Sequence, residues 1–300
     1  MKIDIPKSLY KNNIVYFPDI IKQIYIDLLN EYNLYEKALI FKQGNDLIGG
    51  ITKEATLDHF SQRFLTSGSR TGYLTINPHD NFKEIQKNIF ESLLYGNVNI
   101  LDIPCGTGGS TFNLFCTIGE IIEKNYFPSF PITINIYAAD FSETALEIYD
   151  KFITRIKPHL KSIGIKINHY LINWDAFCSI QTNELIDKFL IDKFDECIIM
   201  INNFSGALKI VNNNKFNEIL ENCILSRLAK YRFLFIWIEP NYDDSDSIFS
   251  KFFKRCSIII KQLFNIIENK KISSKYSWFN FIHNKIIDRG SINLITYKRN

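Results

Sequence analysis

The 300-residue sequence has no long apolar run, no paired cysteines and no charge excess, and each absence excludes something. The opening Met1-Lys2-Ile3-Asp4-Ile5-Pro6 has no continuous apolar core of signal-peptide length, and no later run is long enough to cross a bilayer. A cytoplasmic location without a membrane partner is therefore expected. Cys105, Cys116, Cys178, Cys197, Cys223 and Cys256 are scattered without a C-x-x-C, which speaks against a zinc site or a disulfide framework. Four of them sit in apolar surroundings and read as reduced core positions. No metal is expected. Lys and Arg number 35 against 32 Asp and Glu, too even a balance for a dedicated nucleic-acid binder, so nucleic acid is not indicated as a partner. No internal repeat or low-complexity linker divides the chain.

With 46% hydrophobic residues the chain can bury a large core. From about residue 98 short apolar runs alternate with amphipathic segments, the rhythm of a mostly parallel sheet with helices on both faces. The expected strands are Val98 to Ile103, Ile132 to Ala139, Ile165 to Asn173, Phe194 to Asn202 and Tyr231 to Glu239. Ser142 reads as the N-cap of a helix reaching Pro158, with Ala145, Leu146, Tyr149, Phe152, Ile153 and Ile156 at helical spacing. An amphipathic stretch from Asp246 to Asn269 precedes two apolar runs, Tyr276 to His283 and Ile292 to Tyr297, which the polar, glycine-bearing connection 284–290 makes a terminal antiparallel hairpin.

The first 95 residues have a different rhythm and read as a helical N-terminal cap over the mouth of the sheet, with residues 96–300 as the main domain. Helices are expected over Asp19 to Phe41 and Thr56 to Leu65, followed by a turn-rich segment from Thr66 to Tyr73. Asn81-Phe82-Lys83-Glu84 has the spacing of a capping box and starts a helix ending near Tyr95-Gly96. The turn-rich segment is expected either to fold over a ligand, with Tyr73 lining the pocket and Arg70 near an anionic group, or to form a plain surface turn.

The most informative segment is Ile100-Leu101-Asp102-Ile103-Pro104-Cys105-Gly106-Thr107-Gly108-Gly109, a strand running into a glycine turn and then a helix. Gly106 and Gly108 permit a sharp bend and close approach of a nucleotide-type ligand. The dinucleotide fingerprint requires a glycine at 111, where this chain has Thr111, so an oxidoreductase is disfavoured.

These residues resemble the first cofactor-binding motif of class I, Rossmann-like S-adenosylmethionine-dependent methyltransferases, in which an acidic strand end precedes a G-x-G turn. Pro104 replaces the first glycine that many members carry. The resemblance runs from about residue 98 to the C-terminus and implies an α/β fold with a seven-stranded sheet of order 3-2-1-4-5-7-6. It also implies S-adenosyl-L-methionine as cofactor, held by Asp102, Pro104, Gly106, Thr107 and Gly108. Asp140, followed by Phe141, matches the acid that binds the ribose hydroxyls, and Asp175 with Ala176 matches the segment that binds adenine. Asn202 and Asn203, after the fourth strand, stand where the transferred methyl group meets the acceptor, Asn202 on the cofactor side and Asn203 on the substrate side with Arg70 and Tyr73. The proline pairs of adenine amino-methyltransferases and the Pro-Cys of cytosine-C5 enzymes are absent there.

Methyl transfer from a sulfonium is an in-line displacement, in which a base is needed only for an acceptor that begins protonated. Glu239, before Pro240, and His283 are the candidates for such a base, each with a structural reading beside it. The expected activity is methyl transfer to an oxygen, nitrogen or carboxylate acceptor, with a small metabolite or natural product ahead of a protein or RNA. The alternative is a non-catalytic binding or partner subunit of the same fold. Lys251-Phe252-Phe253-Lys254-Arg255 has the composition of an RNA-binding segment but reads better as an amphipathic helix.

Overall fold

A computed structural model describes residues 3–40, 50, 52–204, 213–240 and 271–299. Five strands run parallel: β3 (Asn97–Asp102), β4 (Ile132–Asp140), β5 (Ile165–Asn173), β6 (Glu196–Asn202) and β7 (Phe233–Glu239). The runs of β6 and β7 are almost continuously apolar because helices cover both faces of the sheet, and β3, equally buried, carries Asn99 and Asp102 among its apolar residues. β9 (Lys285–Arg299) is antiparallel to β7, and β8 (Lys271–Asn280) is antiparallel to β9. Two further two-residue strands, β1 (Tyr10–Lys11) and β2 (Ile14–Val15), join the edge of β8.

Among the described residues the sheet thus has nine strands, not seven, in the order β1-β2-β8-β9-β7-β6-β3-β4-β5. The seven anticipated strands stand within it as β5-β4-β3-β6-β7-β9-β8. The N-terminal region is accordingly not only helical: its first hairpin extends the sheet. Pairs of residues this short carry no periodicity to read.

One sheet face, with Val98, Ile100, Ile134, Ile136 and Met200, packs under α4 (Lys83–Leu94), α5 (Gly109–Glu123) and α6 (Glu143–Ser162). The other, with Leu101, Tyr137, Ile199, Phe235 and Trp237, packs under α7 (Ser179–Phe189) and α8 (Asn213–Ile219), which continues through a π-helical stretch, Leu220–Leu225, into Ser226–Leu228. An asparagine ladder crosses this second face. Asn168 donates to Asn135 Oδ1 (2.8 Å), Asn135 to Asn99 Oδ1 (2.9 Å) and Asn99 to the Phe189 carbonyl (3.1 Å). The three residues are register partners on β5, β4 and β3, so a slip of any strand would break the chain of bonds.

Four helical expectations are corrected. The helix expected over 19–41 is α1 (Asp19–Glu31) and α2 (Tyr35–Leu39), interrupted where Asn33 takes a left-handed φ of 56°. The turn expected over 66–73 lies inside the 24-residue α3 (Lys53–Ile76). Its small residues serve close packing: a Cβ on Gly68 would lie 3.0 Å from the Gly109 carbonyl, and one on Gly72 2.5 Å from Asn113 Nδ2. Asn113 donates to the Gly68 carbonyl at 2.6 Å across the same α3–α5 contact. The capping box at Asn81 does not form. Asn77, left-handed at the end of α3, accepts the Phe82 amide with its Oδ1 instead (2.8 Å). Ser142 does cap α6, accepting from the Ala145 amide at 3.2 Å, but the helix runs past Pro158 to Ser162.

The connection expected over 284–290 is also corrected. β9 already begins at Lys285, and the chain reverses just before it with Asn284 left-handed. Gly290 lies within the strand opposite Tyr276, where a Cβ would come 2.7 Å from the Tyr276 carbonyl. Of the cysteines, Cys105, Cys116, Cys197 and Cys223 are free and buried, and Cys178 is free and half-buried. Cys256, the amphipathic stretch 246–269 and the Lys251–Arg255 run lie outside the described residues. Among the described residues no helix is long and apolar enough to cross a membrane.

Candidate functional site

The carboxyl ends of β3, β4 and β6 meet at the loop 103–108. The Ile103 amide donates to the Met200 carbonyl (3.0 Å) and the Cys105 amide to the Ala139 carbonyl (2.9 Å), so the loop is stitched to both neighbouring strands. The Ile103–Pro104 peptide is cis. Gly106 (φ 52°) and Gly108 (φ 83°) are left-handed, a conformation that side chains disfavour. A Cβ on Gly108 would strike the Phe112 ring, whereas one on Gly106 would meet nothing within 4 Å. Gly106 therefore presents the open side of the loop. Thr107 is buried beside it.

Asp140 fastens this loop to the end of β4. Its Oδ2 accepts the Gly106 amide (2.8 Å) and its Oδ1 the Ser142 amide (2.9 Å). Burial raises the Asp140 pKa, and the amides of Ser142, Gly106 and Phe141 oppose that shift. Phe141, next in sequence, is 62% exposed at the same rim.

Asp102 faces the other way, into the core beneath the loop. Its Oδ2 accepts from Thr111 Oγ1 (2.6 Å) and the Tyr149 hydroxyl (3.1 Å), and burial pushes its pKa up to about 7 against those two hydrogen bonds. Its partners are thus α5 and α6. Thr111, in sequence only a departure from a glycine pattern, is one of the groups that hold it.

On β6, Asn202 stands two positions beyond Met200, the register partner of Asp102, and so on the same sheet face. Both polar atoms of its amide are buried without a hydrogen-bond partner, an arrangement that costs stability unless a ligand supplies the bonds. Asn203, left-handed at φ 55°, accepts from Arg70 Nη1 (2.5 Å) and donates to Ser67 Oγ (3.0 Å). Arg70 also donates from Nε to the Ser291 carbonyl (3.1 Å). At the other end of α3, Thr56 Oγ1 lies 2.9 Å from Ser142 Oγ. The helix therefore crosses the strand ends from β4 to β6. His59 and Arg63 share the face of Arg70, and burial followed by these two guanidinium groups lowers the His59 pKa. Sequence reading missed both residues, whose i, i+4, i+11 spacing carries meaning only once 66–73 is helical.

The adjoining loop after β5 is closed on itself. Asp175 Oδ1 accepts the Phe177 amide (2.8 Å), and the Asp175 amide donates to Gln181 Oε1 (2.7 Å). Ala176 is buried there, and the Trp174 amide ties the loop to the Asp140 carbonyl (3.0 Å). Ser205 and Gly206, past β6, lie outside the described residues.

Three other expected residues are occupied elsewhere. Tyr73 is buried on α3, stacked on Tyr276 with ring centroids 4.4 Å apart, and its hydroxyl meets Ser274 Oγ at 3.0 Å. It lines no open turn. Glu239 is buried, its Oε1 accepting the Phe204 amide and the Trp237 indole N–H, both at 2.7 Å. His283 sits beyond the end of β8, beside Asn280, against Tyr25, Ser61 and Thr66. Strand register puts that turn roughly 26 Å along β9 from the level of Glu239, at ~3.3 Å per residue. Burial and the neighbouring Lys285 lower its pKa.

A cavity of ≈ 430 Å³ lies away from the glycine loop, between β5 and the end of α7, lined by Tyr137, Tyr170, Ile172, Lys188, Ile191 and Asp192. Among the described residues no cluster of His, Cys, Asp or Glu could hold a metal ion.

No family model matches the chain, and no curated protein matches it. Solved structures similar to it include a precorrin-8W decarboxylase from Methanobacterium thermoautotrophicum (16% identity, covering 71% of this chain and 88% of that one, TM-score 0.36). A class I S-adenosylmethionine-dependent methyltransferase from Listeria monocytogenes, described as putative, is also similar (15% identity, 93% and 85%, TM-score 0.36). So is a phosphofructokinase from Pichia pastoris (12% identity, 91% and 98%, TM-score 0.39). Likenesses at this level carry no functional argument.

Proposed function

We propose that this chain is an S-adenosylmethionine-dependent methyltransferase acting on an oxygen, nitrogen or carboxylate acceptor of a small metabolite or natural product. The observation that carries the reading is the Asp140–Gly106 clamp: a strand-end carboxylate fixes a left-handed glycine whose outer side is open.

The residues fit the cofactor. A carboxylate offers about four acceptor positions, and the Gly106, Ser142 and Phe141 amides take up to three of them, which leaves Asp140 able to accept from one ribose hydroxyl. Asp175 and Ala176 form the adenine side, and Phe141, next to Asp140, is exposed at the rim. The buried, unpartnered amide of Asn202 offers one donor group and one acceptor to the amino-acid end. Asp102 supports the loop from below through Thr111 and Tyr149 and does not touch the ligand.

When bound, the cofactor supplies a methyl group on a sulfonium, open to in-line displacement. The chain's contribution is to position the acceptor and exclude water, with α3 laid across the strand ends and Arg70 and Asn203 forming the wall toward β6. Tyr73 is no part of that wall. Glu239 holds the Phe204 and Trp237 N–H groups and acts as a structural anchor, so an acceptor that needs no dedicated base suits this site.

The occupied Glu239 and the distant His283 are also what a non-catalytic binding or partner subunit would show. Calorimetric titration with S-adenosylmethionine, S-adenosylhomocysteine and NAD separates the possibilities. Saturable binding of the two sulfur ligands alone supports the proposal, and labelled-methyl transfer to an acceptor distinguishes an enzyme from a binding subunit. Absence of binding overturns the cofactor assignment.

A further inference from the structure

Outside the strand-end site, α6 and β5 assemble three groups whose chemistry is complementary. Asp150 and Lys157 lie two turns apart on one face of α6, and His169 of β5 stands between them. His169 Nε2 is 2.8 Å from Asp150 Oδ1, and Nδ1 is hydrogen-bonded to Lys157 Nζ. A carboxylate can only accept and an ammonium only donate, so the tautomer follows from the partners: Nε2 carries the proton and Nδ1 presents its lone pair to the lysine. A carboxylate orients an imidazole, and the imidazole faces a potential nucleophile, the arrangement that activates nucleophiles in covalent catalysis. Lys157 and His169 are half-buried and Asp150 is exposed, so a small reagent can reach the amine while the imidazole stays in place.

We propose that Lys157 is a nucleophilic lysine that is acylated by an acyl phosphate, with His169 as its base and Asp150 positioning His169. The ammonium gives one proton to His169 Nδ1, which passes it to water. The Nζ lone pair then attacks the acyl carbonyl carbon, forming the C–N bond. The C–O bond to phosphate breaks and inorganic phosphate leaves with that electron pair. The remaining excess proton on nitrogen goes to His169, and the product is a neutral amide. Burial also lowers the Lys157 pKa, opposed by the Asp150 charge, which raises the share of free amine near neutral pH. The product would no longer carry the ammonium charge that now faces His169.

The test is brief exposure of the full-length chain to acetyl phosphate near neutral pH, with acetylation at each lysine quantified by mass spectrometry. With His169 as its base, Lys157 is expected to react about fivefold or more faster than Lys161, an exposed residue of the same helix. His169→Gln should bring Lys157 down to the rate of Lys161, and Asp150→Asn, at an exposed position, should bring it part of the way. A Lys157 rate no higher than that of Lys161, or an unchanged rate in both variants, overturns the proposal.

Discussion

Arg70 Nη1 meets Asn203 Oδ1 at 2.5 Å, and this bond ties the C-terminal half of α3 to the residue at which the chain leaves β6. Asn203 is there for two reasons, its side chain and its backbone, and they can be separated. Asn203→Gly keeps the left-handed φ of 55° at no steric cost but loses the bonds to Arg70 and Ser67; Asn203→Ala loses the bonds and adds left-handed strain of ~1–2 kcal/mol. Urea denaturation should therefore rank the variants wild type, Gly, Ala. An alanine variant as stable as the glycine variant would remove the backbone argument.

Asp140 is expected to matter for ligand and loop alike. Asp140→Ala leaves the Gly106 and Ser142 amides without their acceptor, a cost of ~1–3 kcal/mol to the fold, and should weaken S-adenosylhomocysteine binding by about tenfold or more. Titration calorimetry on the folded variant reads the second effect. Unchanged affinity would end the ribose assignment.

Asp102 should make stability depend on pH in a direction unusual for a carboxylate. Its folded pKa of about 7 lies above the ordinary 3.8, so the folded chain holds a proton that the unfolded chain releases. The contribution is fully present below about pH 4 and is lost as pH rises through 7. Asp102→Asn keeps a neutral group in place, so its stability relative to wild type should rise across that interval. Parallel denaturation curves at every pH would show that Asp102 does not titrate there.

At the α3–α5 contact, Gly109→Ala would drive a Cβ to 2.7 Å from the Phe64 carbonyl, a main-chain atom that can yield only if α3 shifts. The expected loss is ~1–3 kcal/mol, read from the denaturation midpoint. Gly106→Ala, with open space around it, should cost only its left-handed strain of ~1–2 kcal/mol while narrowing the mouth of the loop. A Gly109→Ala protein of wild-type stability would mean that the helices are not in close contact.

Asn135 is the middle rung of the asparagine ladder. Asn135→Leu leaves the Asn168 amide without its acceptor and Asn99 Oδ1 without its donor, and should cost ~2–3 kcal/mol despite the added apolar surface. Hydrogen exchange should quicken first in β5, which among the described residues is paired on the β4 side alone. Unaltered exchange in β5 would show that the ladder does not hold the register.

Strand succession was legible in the sequence because β6 and β7 are buried on both faces and read as unbroken apolar runs, and β3 as an apolar run interrupted by Asn99, each bounded by polar segments. The glycine loop and the acid at the end of β4 were legible for a related reason: backbone conformations with positive φ, and a carboxylate at a strand end, leave marks at single positions. Local chemistry also placed the Ser142 cap. These are features whose cause lies within a few residues of the chain.

Other features depend on what a segment meets. Ser67, Gly68, Ser69 and Gly72 have the composition of a turn, yet form a helix because α5 must approach within a side chain's width, and tertiary packing outweighs a propensity deficit of about 1 kcal/mol per glycine. Asp102 has the sequence mark of a ligand contact, while Thr111 and Tyr149, from two different helices, hydrogen-bond its inward-facing carboxylate. The Asp150–His169–Lys157 group joins a helix to a strand and has no sequence motif at all. Sequence alone determined the succession of the five parallel strands and the loop that bends. Only the tertiary structure decided which polar groups face that loop and which hold it from behind, because that choice is made by contacts between segments far apart in the chain.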